Sequence, residues 1–239
     1  MSVRYEVRLL GHEECGADVI ILRFSRPDGY EFSPGQWFTL SVETAEGKQT
    51  KTFSHCSAPS DEYLEMTTRM SGSPFKKALA ALRPGDHAAI AGPGGRLALA
   101  ADADRVCFLV GGVGITPVRS ILRDAAHHGR IFADALLVYG NRDSACVPFA
   151  EEFARMADRG VRLALCYENP PTGWAGASGF ITAKTVSDLL PEHEGVPFFV
   201  AGPPVMVSAM ERVLDDLKVV AGQRHIERFG PAVHRGAGV

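Results

Sequence analysis

The sequence predicts two domains: an N-terminal antiparallel β-barrel and a C-terminal α/β unit with an open parallel sheet. Three observations predict it. A chain of 239 residues is long for one small core and suits two domains of ordinary size. Up to about residue 100, short runs rich in β-branched and aromatic residues alternate with Gly and Pro breaks, as in small all-β units. Beyond that point apolar runs alternate with helical segments, which is the pattern of βαβ units in a parallel sheet. The Ala- and Asp-rich joint at residues 98–104 divides the chain into domains 1–100 and 101–239.

The barrel strands are expected in "YEVRLLG", "VIILRFS", "WFTLSVE", "KTFSHCS" and "EYLEMTTR". "SPFKKALAALRPGD" interrupts them: Ala78, Leu79 and Leu82 lie at helical spacing, and "RPGD" stops the helix. "HAAIAGPGG" then reads as a strand and a tight turn. In the second half "VCFLVGG" is apolar throughout, as expected of a parallel strand buried on both faces. "ALLVYGN", "VRLALCYE" and "VPFFVAG" repeat that pattern. Between and after them, "PVRSILRDAAHH", "FAEEFARMADRG", "AKTVSDLLPE" and "PPVMVSAMERVLDDL" have helical periods.

Composition narrows the function classes. Apolar residues make up 46% and charged residues 22%, the balance of a soluble globular protein. A formal net charge of −3 gives no electrostatic reason to expect nucleic acid or an anionic membrane surface. "MSVRYEVRLL" alternates like a strand and has no signal-peptide core. No apolar run approaches the roughly 20 residues of a membrane span, so a cytoplasmic protein is expected. Cys15, Cys56, Cys107, Cys146 and Cys166 are far apart and form no C-x-x-C pair. This spacing points to no zinc site, no iron–sulfur cluster and no disulfide framework, and the thiols are expected to be reduced and mostly buried. His127 and His128 are adjacent in a helix, cannot share a face, and read as surface residues.

In an open parallel sheet ligands bind beyond the carboxyl ends of the strands. Three such ends carry suitable residues. In "GGVGITP", Gly111, Gly112 and Gly114 let backbone amides approach a ligand. Thr116 adds a hydroxyl, Pro117 suits the first turn, and the helix start favours an anion. The same loop also serves as a plain strand-to-helix turn. In "YGNRD", Asn141 and Arg142 end the next strand, and Arg142 suits a phosphate or an adenine ring. In "AGPPVM", Gly202 and Pro203 turn the chain and Pro204 starts a helix.

With "KTFSHCSAP", "GSPFKKALAALRPGD", "GGVGITP", "YGNRD" and "AGPPVM" in this order, the chain resembles the ferredoxin–NADP reductase superfamily from roughly Arg4 to Phe229. The ordered set is specific, although each motif alone is not. The resemblance implies a flavin on the barrel, a nicotinamide nucleotide on the parallel sheet, and hydride transfer between them. The family's R-x-[YF]-S-x-x-S pattern falls on Lys51, Phe53, Ser54 and Ser57. It implies that Phe53 packs along the flavin and that Ser54 acts beside the ring atom that receives hydride. Thr68 is expected at the ring edge, with Gly72 and Ser73 at the pyrophosphate, which favours FAD over FMN. "GGVGITP" matches the nicotinamide nucleotide loop, and Arg142 the region that contacts the adenosine end. Arg142 tilts the expectation slightly towards NADP over NAD, with Asp143 beside it acting against. Glu227 and Phe229 match the family's terminal E-x-F segment, with Glu227 as a second catalytic candidate assisting a proton.

Two positions depart from the family pattern. Lys51 stands where the family has arginine, keeping the charge but losing the planar two-pronged geometry. Ala201 stands where the family commonly has cysteine. Hydride passes directly between two rings, so a lost thiol affects orientation and removes no obligatory proton carrier. No Tyr or Trp follows Phe229 to match the aromatic that covers the flavin in plant-type members. The resemblance therefore implies an FAD-dependent NAD(P)H oxidoreductase that serves a separate one-electron carrier protein such as a ferredoxin. A reductase of free flavin or ferric chelates is a second reading, and an electron-transfer subunit with weak catalysis a third.

Overall fold

The computed structural model describes residues 3–230. Strands β1 (Arg4–Cys15), β2 (Val19–Ser25), β3 (Trp37–Thr44), β4 (Gly47–Ser54), β5 (Tyr63–Arg69) and β6 (His87–Gly94) build the first sheet, and helix α1 (Pro74–Ala81) lies between the last two. Their order is β4-β3-β6-β1-β2-β5, and every pairing is antiparallel. The sheet curls around a core that includes Leu22, Phe24, Phe38, Leu40, Leu64, Met66 and Phe75. Burial alternates along β1 and β3, as a sheet with one face to the core and one to water requires.

The second sheet contains β7 (Arg105–Gly111), β8 (Asp134–Asn141), β9 (Val161–Tyr167), β10 (Ala177–Ser178), β11 (Phe198–Gly202) and β12 (Arg224–Arg228). Its order is β10-β9-β8-β7-β11-β12, parallel throughout. Helices α2 (Ile115–His127), α3 (Ala150–Ala154), α4 (Ala183–Leu189) and α5 (Pro204–Asp216) connect the strands. Residues Val106 to Val110 of β7 are all buried. Phe108 and Val110 pack against Val118 and Ile121 of α2, while Leu109 faces Val207 and Leu214 of α5. From β7 the chain first builds outward through β8, β9 and β10, then returns to place β11 on the other side. That reversal puts the ligand crevice at the ends of β7 and β11.

The two sheets meet across a charged seam. Arg119 of α2 is 3% exposed and donates to the Glu65 carboxylate of β5, the Cys56 carbonyl and Glu152. One turn on, Arg123 donates to both oxygens of Asp61. Ser120 donates to the Ser57 carbonyl at 2.7 Å. Glu65, which is fully buried, also accepts from Arg23, so each buried charge in the seam has partners.

The structure departs from the sequence reading at three places. "FAEEFARMADRG" forms only the five-residue α3 and a separate 3₁₀ turn at Ala157–Arg159, ended by Gly160 in the left-handed region. The two-residue β10 has no strand signature in the sequence. The expectation that every thiol is reduced is corrected: Cys15 and Cys146 form a disulfide with Cα atoms 5.3 Å apart. Their separation of 131 residues hides the pairing from spacing arguments. The fold creates it by setting the end of β1 against the loop after β8. Cys56, Cys107 and Cys166 are free and buried. Among the described residues no helix is long and apolar enough to cross a membrane, and no group of three or more His, Cys, Asp or Glu side chains could hold a metal ion.

Candidate functional site

The barrel half of the site is built on β4, β5 and α1. Antiparallel pairing sets Phe53 opposite Phe38 and Ser54 opposite Trp37. The Phe53 ring stacks on that of Phe75 at 5.9 Å. Ser73 caps α1, its hydroxyl accepting from the Lys76 N–H, and Gly72 before it is open to solvent. Thr68 is buried, and its hydroxyl receives a hydrogen bond from the Lys76 ammonium. That ammonium lies 4.9 Å from the centre of the Phe53 ring. Burial, reinforced by the charge of Lys51, brings it down to about 8.

Ser54 meets Glu227 across 173 residues of sequence, donating to a carboxylate oxygen at 2.9 Å. Glu227 enters from β12, in register with Ala201 of β11. Burial raises its pKa above the usual carboxylate value, and the Ser54 hydrogen bond partly offsets this. The two catalytic candidates are thus one hydrogen-bonded pair at the junction of the domains. A cavity of about 370 Å³ beside them is lined by Trp37, Arg96, His225, Glu227 and Arg228.

Ser57 behaves differently from its motif partners. It is fully buried, and its hydroxyl accepts from the Glu65 N–H at 3.1 Å. It braces the domain seam instead of facing a ligand. His55 is also enclosed, stacked on Phe32 at 3.8 Å and hydrogen-bonded through Nε2 to the Tyr30 hydroxyl. Burial lowers its pKa to about 3, so it stays neutral.

The second half is a cavity of about 460 Å³ at the carboxyl ends of the parallel strands, a size suited to a small ligand. Gly112, Asn141, Arg142 and Pro203 line it, as the strand-end reading expects. Gly114, Thr116, Pro117, Gly202 and Pro204 do not. A Cβ at Gly114 would sit 2.2 Å from the Ala201 carbonyl oxygen, so this glycine permits backbone packing under the site. Thr116 is buried and donates to the Val113 carbonyl, and Pro117 is buried with it. Gly202 accommodates the Met206 sulfur, which a Cβ would meet at 2.7 Å. Pro204 opens α5, and the Phe229 N–H bonds to the Gly202 carbonyl.

Among the cavity residues that sequence reasoning missed are Arg69, Glu168, Phe180 and Met206. Glu168 directly follows β9, so the rule that found Arg142 also applies to it. Arg69 lies within the quoted "TTRMSGSPF" but reaches the cavity from the other domain, which strand-end logic cannot foresee. Phe180 is 73% exposed and offers an aromatic face, and Met206 fills the space beside Gly111 and Gly202.

The barrel thus sets Lys76 over the Phe53 ring, and a separate cavity opens at the strand ends of the parallel sheet. Residues 108–212 match the family described as the oxidoreductase NAD-binding domain. The chain is 29% identical over 236 residues to a flavohemoprotein of Pseudomonas putida, covering 95% of this chain and 59% of that one. It is 31% identical over 152 residues to NADH-cytochrome b5 reductase 1 of Aspergillus terreus, covering 60% of this chain and 51% of the relative. The chain therefore spans between about half and three-fifths of these two relatives' lengths. A ferredoxin NADP+ reductase from Neisseria gonorrhoeae, solved with bound FAD and NADP, superposes with a TM-score of 0.81 at 21% identity, covering 94% of this chain and 98% of that one. Residues 108–212 carry the match to the oxidoreductase NAD-binding domain, and the chain as a whole shares the two-domain fold of that solved reductase.

Proposed function

We propose that the chain is an FAD-dependent NADH oxidoreductase that delivers electrons singly to a separate acceptor protein. The carrying observation is the Ser54–Glu227 hydrogen bond, which ties the barrel cleft to the last strands of the nucleotide-binding sheet. The residues present fit a flavin nucleotide: two lysines and a capped helix start for its phosphates, and the Phe53 ring for its apolar part. Bound there, FAD supplies the change from an electron pair, taken as hydride, to single electrons. Lys51, Ser73 and the first turn of α1 would hold the phosphates. Phe53 would pack along the ring system, and the Ser54 hydroxyl would help to orient it. Glu227, whose pKa burial raises, is the group placed to exchange a proton through the Ser54 hydroxyl.

The nucleotide preference follows from the cavity's charges. Glu168 and Arg142 both line it. An acidic side chain at a strand end accepts from ribose hydroxyls and repels a 2′-phosphate, which favours NADH. Arg142, which alone would tilt towards NADP, then serves the shared phosphates. The acceptor reading is a one-electron haem or iron–sulfur protein. Support for it is the similarity to an NADH-cytochrome b5 reductase.

The test is the visible spectrum of the purified protein under anaerobic conditions, before and after each nucleotide. The expected result is a flavin spectrum that NADH bleaches at least about tenfold faster than NADPH does. A protein that neither carries flavin nor takes it up overturns the proposal. Faster bleaching by NADPH overturns the role given to Glu168.

A further inference from the structure

We propose that Lys76 is a second cationic holder of the flavin's phosphates, sharing with Lys51 the task that one arginine performs in the family pattern. The inference rests on the flavin reading above and adds a residue that no motif assigns. Lys76 occupies the first turn of α1, three residues after the cap Ser73. Its side chain folds inward, 4.9 Å from the centre of the Phe53 ring and 5.9 Å from that of Phe75. Thr68 accepts one of its hydrogen bonds.

An inward ammonium normally has a carboxylate beside it. Among the described residues Lys76 forms no ion pair, and the charge that acts on it is another cation, Lys51 of β4. Burial and this repulsion together push its pKa down to about 8. Two like charges, one on β4 and one on α1, thus repel each other, and the one on α1 is short of water. A phosphate placed there pairs both. The grip differs in kind from a guanidinium fork: it uses two point charges on separate elements, one from the strand and one from the helix. It also explains how a lysine at position 51 suffices.

Apoproteins of the wild type, Lys76→Met and Lys51→Met are titrated with FAD, FMN and riboflavin, following flavin fluorescence. Each substitution is expected to weaken FAD and FMN about tenfold or more. Riboflavin, which has no phosphate, should change by less than about twofold. Without flavin, Lys76→Met should raise the melting temperature by about 2–4 °C, because it removes an unpaired, desolvated charge. A residue needed only for packing would give the opposite sign. Unchanged FAD affinity in Lys76→Met, or equal losses for riboflavin and FAD, overturns the proposal and leaves the flavin reading standing. A wild-type protein that binds none of the three flavins overturns both.

Discussion

At the scale of single residues, the junction between the domains holds one buried carboxyl group that is hydrogen-bonded to Ser54. Glu227 is buried enough for its pKa to rise above the usual carboxylate value of 4.5. An acid raised in this way favours the folded state most at low pH. That contribution is lost as pH rises from the unfolded value through the folded one. Glu227→Gln keeps an acceptor for Ser54 but cannot ionise. Melting curves of the variant and the wild type should therefore coincide near pH 4, with the variant ahead by about 2–4 °C at pH 8. A constant gap across that range would remove the basis for treating Glu227 as a proton-exchanging group. Ser54 and Glu227 were legible in the sequence only as members of two distant motifs. Their contact was not, because nothing in local periodicity states which strand end will meet which. Ser57 shows the converse: its place in a motif hid a hydroxyl that the fold spends on the Glu65 N–H.

Among the secondary elements, β7 with α2 does the most to position the site. The apolar run "VCFLVGG" and the helical period after it predict both elements, and their burial follows the pattern. The loop between them was legible in outline only. Its glycines divide the labour: Gly112, with φ +51, lines the cavity, whereas Gly114 lets the turn rest on the Ala201 carbonyl. Gly114→Ala would force backbone apart and should cost about 2–3 kcal/mol of unfolding free energy, measured by urea denaturation. A loss below about 0.5 kcal/mol would mean that the turn can shift freely. Arg119 could not be anticipated. It reads as a polar break in an amphipathic helix, yet it is buried in the domain seam, where Glu65 of the barrel domain and Glu152 of its own domain supply its carboxylates.

For the whole molecule, the two-domain architecture was legible because two periods, near 2 and near 3.6, occupy different halves of the chain. Strand order and the disulfide were not, since both depend on how distant segments return. The Cys15–Cys146 bond closes a loop of 131 residues and staples the barrel to the loop that follows β8. Cross-linking over that span restricts the unfolded chain by about 4–5 kcal/mol in the chain-entropy account. Cys146→Ser should lower unfolding free energy by that order, with Cys15→Ser the same and the double variant no worse. Additive losses would show that the thiols act separately.

The bond between Ser54 and Glu227 also sets an order of events during synthesis. Domains form as the chain emerges from its N-terminus. The barrel, with Ser54 in it, can fold and take up its ligand while β12 is still unmade. A half-translated chain would then have the barrel without the carboxyl that Ser54 meets in the finished protein. The contact between the two domains at Ser54 thus forms late, with one short edge strand that also brings Ile226 to the core of the second domain.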